Sequence, residues 1–266
     1  MIAGLNIRCN IGPFEVLRSP RIELCFRRRD VVSTCQIDVP DEWGDVRPLL
    51  AKKQKAVIRF GHRGESSLWQ EWEGEVKDFT QVTADLMRVT CVGREQALID
   101  TKITEAMHGE PADVVGRRLL ERTGLPVADV AIPAETFPHM VFSGCTAARA
   151  IKQLSQSLER SFGHDLSKHA VWLGEAGLYW SAENEPGPVY VVESASNLMT
   201  NSPNPNGMSR LVSTLLPGLT ASRLVHIHDA RHGMDEIVRA EEVTHLLSDT
   251  EGNTTTIGYG CEQGWG

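Results

Sequence analysis

The feature that most constrains this chain is an alternation of apolar and polar residues with period two, interrupted at short intervals by Gly, Pro, Asp and Asn. The block from Leu215 to Tyr259 shows it most fully. Arg223-Leu-Val-His-Ile-His228 leads into the turn Asp229-Ala-Arg-His-Gly233. A run from Glu236 to His245, a second turn at Ser248-Asp-Thr-Glu-Gly252, and Thr254-Thr-Thr-Ile-Gly-Tyr259 follow. Such runs between such turns predict antiparallel strands joined as a meander. Residues 1–100 repeat the habit. Ile22, Leu24 and Phe26 share one face of Arg21–Arg27, and Val31–Val39, Ala56–Phe60, Ser67–Phe79 and Asp85–Val92 supply further runs. Short antiparallel strands at this spacing predict a small barrel or sandwich rather than a parallel sheet. Gly74, inside a run, predicts a bulge or bend.

The middle of the chain changes period. Val114, Val115, Leu119 and Leu120 fall at helical spacing between Pro111, which suits a first helical turn, and Gly124, which suits a stop. A second helix is predicted from an N-cap at Thr146 to Phe162, with Ala150, Ile151, Leu154 and Leu158 as its apolar stripe and Gly163 ending it. Ala170–Leu173 and Leu178–Trp180 read as a short hairpin. Residues 101–183 therefore form an α/β insertion between two β regions, 1–100 and 184–266. Val189–Val192 is a strand in the second of these, and Asn201–Gly207 is the most loop-like stretch of the chain.

The formal net charge of −8 disfavours a protein that grips nucleic acid, since phosphate binding needs clustered Lys and Arg. It is no obstacle to lining a passage through which DNA slides without sticking. The six cysteines lack any C-x-x-C pair and sit mostly in apolar runs, which predicts reduced, buried thiols. Met1–Arg8 lacks a signal-peptide pattern, and no apolar run approaches membrane-spanning length. Synthesis in a cytoplasm is the expectation.

Candidate chemistry is sparse. His226 and His228 point to the same side of a strand, and a turn could bring Asp229 or His232 close, a set with transition-metal character. The competing reading is a polar strand face over Val225 and Ile227, and on that reading no metal and no cofactor are expected. Cys145, His164 and Asp165 contain the residue types of a thiol triad, but a helix separates the cysteine from the other two. Glu71, Glu73 and Glu75 alternate along a strand, as a solvated carboxylate row would. Phosphate loops, G-x-S-x-G and H-E-x-x-H are missing, so catalysis is not expected. Trp69 and Trp72 lie an odd number of residues apart, so one should be core and the other an interface anchor. Trp265 should dock the chain's last residues onto a partner.

Several pieces together resemble the tail baseplate hub proteins of phages, the late-control-D-like family, and are similar to the hub portion of type VI secretion spike proteins. They are Glu73-Gly-Glu-Val76 with the following strand to Val92, Ser143-Gly-Cys-Thr-Ala-Ala148 leading into the Leu-rich helix, and Asn197-Leu198. Leu216-Pro-Gly218 and Val243-Thr-His245 with Asp249, Gly252 and Thr256 complete the set. The resemblance implies an α+β, mainly β fold: two tail-tube-like antiparallel β-barrel domains, 1–100 and 184–266, flanking the 101–183 insertion. It implies a homotrimer that adapts a hexameric tail tube to a trimeric central spike and forms part of the DNA passage. Its partners would be the tail tube, central spike and tape measure proteins and the surrounding baseplate proteins, with DNA only as passing cargo. Its place would be the virion baseplate. At 266 residues it would be a short hub without added peripheral domains. Leu216, Pro217, Gly218 and His245 would then shape ring contacts. A receptor- or saccharide-binding tail module and a tail-associated hydrolase are the alternatives.

Overall fold

Strands dominate, as the period-two runs require. The computed structural model describes residues 5–17, 19–62 and 69–260. In chain order the first strands are β1 (Leu5–Ile11), β2 (Phe14–Val16), β3 (Arg21–Arg27), β4 (Thr34–Pro40), β5 (Lys55–His62), β6 (Trp69–Thr83) and β7 (Leu86–Gly93). The middle holds α1 (Ala97–Asp100), β8 (Lys102–Met107), β9 (Glu110–Pro111), α2 (Ala112–Glu121), β10 (Val127–Val130), β11 (Thr136–Phe137) and β12 (Met140–Thr146). It continues with α3 (Ala147–Phe162), β13 (Ala170–Gly174) and β14 (Gly177–Ser181). The last are β15 (Tyr190–Glu193), β16 (Leu198–Ser202), β17 (Ser209–Thr214), β18 (Leu224–Asp229), β19 (Met234–Ser248) and β20 (Thr254–Tyr259).

Two units divide these elements. The first joins the stretch up to Phe26 with Val32–Arg94 and Pro188–Gly260; the second joins Arg27–Val31 to Glu95–Gly187. In the first unit one sheet runs β16-β17-β20-β19-β3-β4-β7-β6-β5-β1-β2, with β18 pairing β19 and β15 pairing β18. β15–β18 is parallel, while the hairpins β1–β2, β3–β4, β5–β6, β6–β7, β16–β17, β18–β19 and β19–β20 are antiparallel. Parallel neighbours need a long crossover, and here β16, β17 and the Leu-Pro-Gly segment supply it.

The alternation read from sequence sorts side chains into two cores within this unit. Ile22, Leu24, Ile37, Ile58, Phe60, Trp72 and Val89 build one, joined by Leu215 and Leu247 from the C-terminal strands. Val192, Leu211, Leu219, Val225, Ile227, Val243 and Ile257 build the other, and Phe26 packs against both. Each fully buried large apolar side chain contributes about 1.5–3 kcal/mol relative to exposure. Cys9, Cys25, Cys35 and Cys91 are buried reduced thiols and Cys145 is a half-buried one, none of them in a disulfide. Burial pushes the Cys9 and Cys91 thiols up to about 12, so they stay protonated and act as small apolar fillers. Cys261 lies outside the described residues.

Three local readings change. Gly74 is not a bulge: it pairs in register with Ala56 and Gly93, and the register shifts fall at Val76/Asp78 and Gln81/Thr83. Glycine is needed there because a Cβ would meet the Val92 carbonyl oxygen at 2.2 Å and the Trp72 ring at 2.4 Å. The Asn201–Gly207 loop is shorter than its composition suggests, because β16 runs to Ser202 and forms a hairpin with β17. β1 is not among the predicted runs although Leu5, Ile7, Cys9 and Ile11 alternate through it, whereas the β8–β12 pair carries too few alternating apolar residues to announce itself.

In the second unit α2 and α3 lay Val115, Leu119, Leu120, Ala150, Ile151, Leu154 and Leu158 into a core with Phe142, Val171 and Trp180. The second helix begins and ends where its punctuation says. The Thr146 hydroxyl accepts from the Arg149 N–H at 3.2 Å, and Gly163 closes the helix at φ 76°. Thr146→Ala is expected to cost about 1 kcal/mol, read as a lower midpoint in urea with an unchanged slope. In the same unit Arg28 is fully buried. Its guanidinium lies 4.5 Å above the Trp172 ring and donates to the Ser181 carbonyl at 3.0 Å.

Candidate functional site

The Leu-Pro-Gly segment links the two cores of the first unit. Leu215 enters one core and Leu219 the other. Between them the chain turns at Gly218, whose φ of 86° places it in the left-handed region, and whose N–H donates to Gln70 Oε1 at 2.9 Å. A Cβ on Gly218 would stand 2.5 Å from the Tyr190 hydroxyl. Pro217 is buried, and Leu216 is partly buried against the second core.

His245 holds this segment in place. Its Nε2 lies 2.8 Å from the Leu219 carbonyl, which can only accept, so Nε2 carries the proton. Nδ1 then accepts from the Thr255 hydroxyl at 3.0 Å, and that hydroxyl in turn accepts from the Leu216 N–H at 2.9 Å. The Phe60 and Phe26 rings stand edge-on to the imidazole at 5.3 and 6.0 Å. Burial drives the His245 pKa down to about 4, opposed by the bond to Leu219, so the ring is neutral. His245 is 0% exposed. The residues expected to shape ring contacts therefore lie, for Pro217 and His245, inside the chain's own junction. Sequence carried the signal: His245 is in phase with Val243 and Leu247, both core residues.

Trp72 is buried and donates to the Ser33 hydroxyl at 3.0 Å, while Trp69, on the opposite face of β6, is 37% exposed. Of the two, Trp69 is the one free to anchor a partner. Trp265 lies outside the described residues.

The histidine cluster is assembled differently from the sequence expectation. In β18, Val225 and Ile227 point inward, leaving His226 and His228 half-buried on the other face with their rings 3.9 Å apart. Register sets His228 opposite Asp235 of β19. Asp235 Oδ1 accepts from His226 Nε2 at 2.7 Å and lies 2.9 Å from His228 Nδ1. His232 is drawn away instead, with Nδ1 2.6 Å from Asp229 Oδ2. Asp229 also accepts from Asn201 Nδ2 at 2.8 Å and from the Arg231 N–H at 3.0 Å. Burial raises the Asp229 pKa, and these bonds overcome it and hold the carboxyl down at about 2. Asp229 is thus a structural clamp at the hairpin turn, and the third member of the His226–His228 set is Asp235.

The other candidate sets are not brought together. His164 Nε2 bonds Glu135 at 3.0 Å and Asp165 accepts from the Ser167 N–H at 2.9 Å. Cys145 sits on β12 opposite Ile103. Glu71 and Glu73 pair across strands with Arg59 and Lys55, at 2.5 and 2.8 Å, as an exposed ion-pair ladder does. The hydrogen bond from Lys55 lowers the Glu73 pKa against partial burial, so that carboxylate stays charged. No helix among the described residues is long and apolar enough to cross a membrane.

No family model matches the chain, and no curated protein matches it in sequence. Solved structures do match its fold. A 43 kDa tail protein of prophage MuSo2 from Shewanella oneidensis superposes with a TM-score of 0.69 at 11% identity, covering 97% of this chain and 99% of that one. A tail protein from Neisseria meningitidis MC58 also gives 0.69 at 11% identity, covering 96% of both chains. An E. coli type VI secretion component, itself similar to bacteriophage T4 tail proteins, gives 0.63 at 10% identity over 96% of this chain and 76% of that one. The chain has the fold of phage tail hub-like proteins, and the resemblance carried by its residue pattern holds at the level of fold.

Proposed function

We propose that this protein is a structural component of a phage-type tail: a homotrimeric baseplate hub that adapts a hexameric tail tube to a trimeric central spike. The observation that supports this reading is a fold match that runs nearly end to end over two solved tail proteins. On this reading each copy carries two tube-like domains, at 1–100 and 184–266, and the presence of two β cores in the first unit supports it. Three copies then offer six tube-like faces to the tube and three equivalent faces to the spike.

The sheet has ends to be covered. Among the described residues β16, with Met199 58% exposed, β2 and β15 are its terminal strands, and strand edges of this kind are relieved by pairing with a neighbour. Exposed Trp69 suits an anchor at such a contact. The role is assembly without turnover. DNA passes as cargo, helped by the acidic balance of the chain, and the tape measure and surrounding baseplate proteins are neighbours in the virion.

Light scattering tests the reading. The full chain alone is expected to show three times the 29.4 kDa of one chain, and a complex with its cognate spike protein is expected to hold three such chains in addition to the spike. A mass of one chain in both conditions, at every concentration tried, overturns it.

A further inference from the structure

We propose that His226, His228 and Asp235 form a binding site for a borderline divalent transition ion, Zn2+ in the first instance, on the exposed face of β15, β18 and β19. The ligand-bearing atoms of the three side chains lie within 4.8 Å of one another. Two imidazole nitrogens and one carboxylate oxygen are the donor set that Zn2+ and its neighbours prefer over Mg2+ or Ca2+.

The geometry needs little adjustment. Asp235 Oδ1 already stands 2.7 Å from His226 Nε2 and 2.9 Å from His228 Nδ1. Around a tetrahedral ion with bonds of about 2.1 Å, ligand atoms sit about 3.4 Å apart. Both Asp–His distances have to open by about 0.5–0.7 Å, and the two imidazole nitrogens, within 4.8 Å of each other, have to settle at the same spacing, which side-chain torsions on adjacent strands allow. To take an ion, each imidazole presents as a bare donor the nitrogen that now faces Asp235, its proton moving to the other ring nitrogen. Acid, which protonates both ring nitrogens, weakens binding.

The surroundings favour access. The histidine side chains are 30% and 37% exposed and Asp235 is 69% exposed, so an ion can enter and water can fill the remaining position. The backbone beneath is fixed by the β18–β19 ladder and by Val225 and Ile227 in the core. Register puts Glu193 of β15 beside His228, and Val191 and Ile237 beside His226, on this same face. Val191 and Ile237 are 50% and 58% exposed, an apolar rim that shields the ligands on one side. His232 takes no part, because Asp229 holds it.

The test uses the full chain without an affinity tag, stripped of metal by chelator and titrated with Zn2+ in a calorimeter, with elemental analysis after dialysis. One ion per chain is expected. Loss of a supporting hydrogen bond to a metal ligand typically costs 10–100-fold in affinity, so removing two ligands in H226A/H228A should weaken binding by at least about 100-fold. Asp235→Asn should weaken it by about 10-fold or more, and His232→Ala should leave it unchanged. Co2+ should give the intense visible bands of a tetrahedral site in the parent and lose them in H226A/H228A. Circular dichroism checks that each variant is folded, and the parent titration stands without any variant. Less than one ion per chain, or an unchanged affinity in folded H226A/H228A, overturns the proposal.

Discussion

Lowering the pH from 7 to 4 is expected to remove about 3 kcal/mol of stability from the first unit through His245 alone. The ring titrates near 6.5 in an unfolded chain and near 4 when folded. Between those values the unfolded chain takes up a proton that the folded chain refuses. The contribution is therefore complete above about 6.5, declines as pH falls, and is gone below about 4. Asp229, held at about 2, loses its own contribution only below the ordinary carboxylate range, so the two windows barely overlap. Amide hydrogen exchange at β19 and β20, followed from pH 7 to 4 after correction for intrinsic rates, reads the effect. His245→Gln keeps a donor for the Leu219 carbonyl without titrating, and should flatten the profile across that window. Parallel profiles for the parent and the variant would show that the junction histidine is not the source.

Gly74→Ala is the second large effect. The added methyl would sit 2.2 Å from the Val92 carbonyl oxygen and 2.4 Å from the Trp72 ring. Neither neighbour can yield cheaply. Val92 is fixed by pairing with both Thr34 and Glu75, and Trp72 is buried and bonded to Ser33. Overpacking of this kind costs 1–3 kcal/mol and occasionally more, and the rigid backbone contact puts Gly74 at about 3 kcal/mol or above. Gly44→Ala is the comparison. Nothing lies within 4 Å of its Cβ position, and only its φ of 70° opposes the change, so it should cost about 1 kcal/mol. Thermal midpoints measured side by side test the contrast, and equal shifts for the two would refute the packing argument.

Much of this fold was legible in sequence because burial and backbone period coincide. Arg21–Arg27 and Thr254–Tyr259 are strands with the bounds their alternation gives, and α3 lies between the Thr146 cap and the Gly163 stop. The chain's own partners were less legible. Nothing local says that β3 pairs with β19, or that β15 runs parallel to β18. The same limit explains the histidine cluster. The turn after Asp229 was readable, but the pairing of His228 with Asp235 depends on hairpin register, which composition does not set. His245 was assigned to ring contacts by the resemblance alone, which does not say which way its side chain points. Its phase with Val243 and Leu247 placed it inside.

The pairing of β3 with β19 has a consequence for how the protein is made. Thr244 reaches Cys25 across 219 residues of chain, with its hydroxyl 3.5 Å from the sulfur. During synthesis the edge of β3 is therefore exposed until β19, 219 residues further on at this contact, has left the ribosome. Closing so long a loop is slow, and an open strand edge is a template for other nascent chains. Yield should depend on the rate and concentration of synthesis more steeply than final stability would suggest. Partners that arrive early would protect the chain by covering that edge.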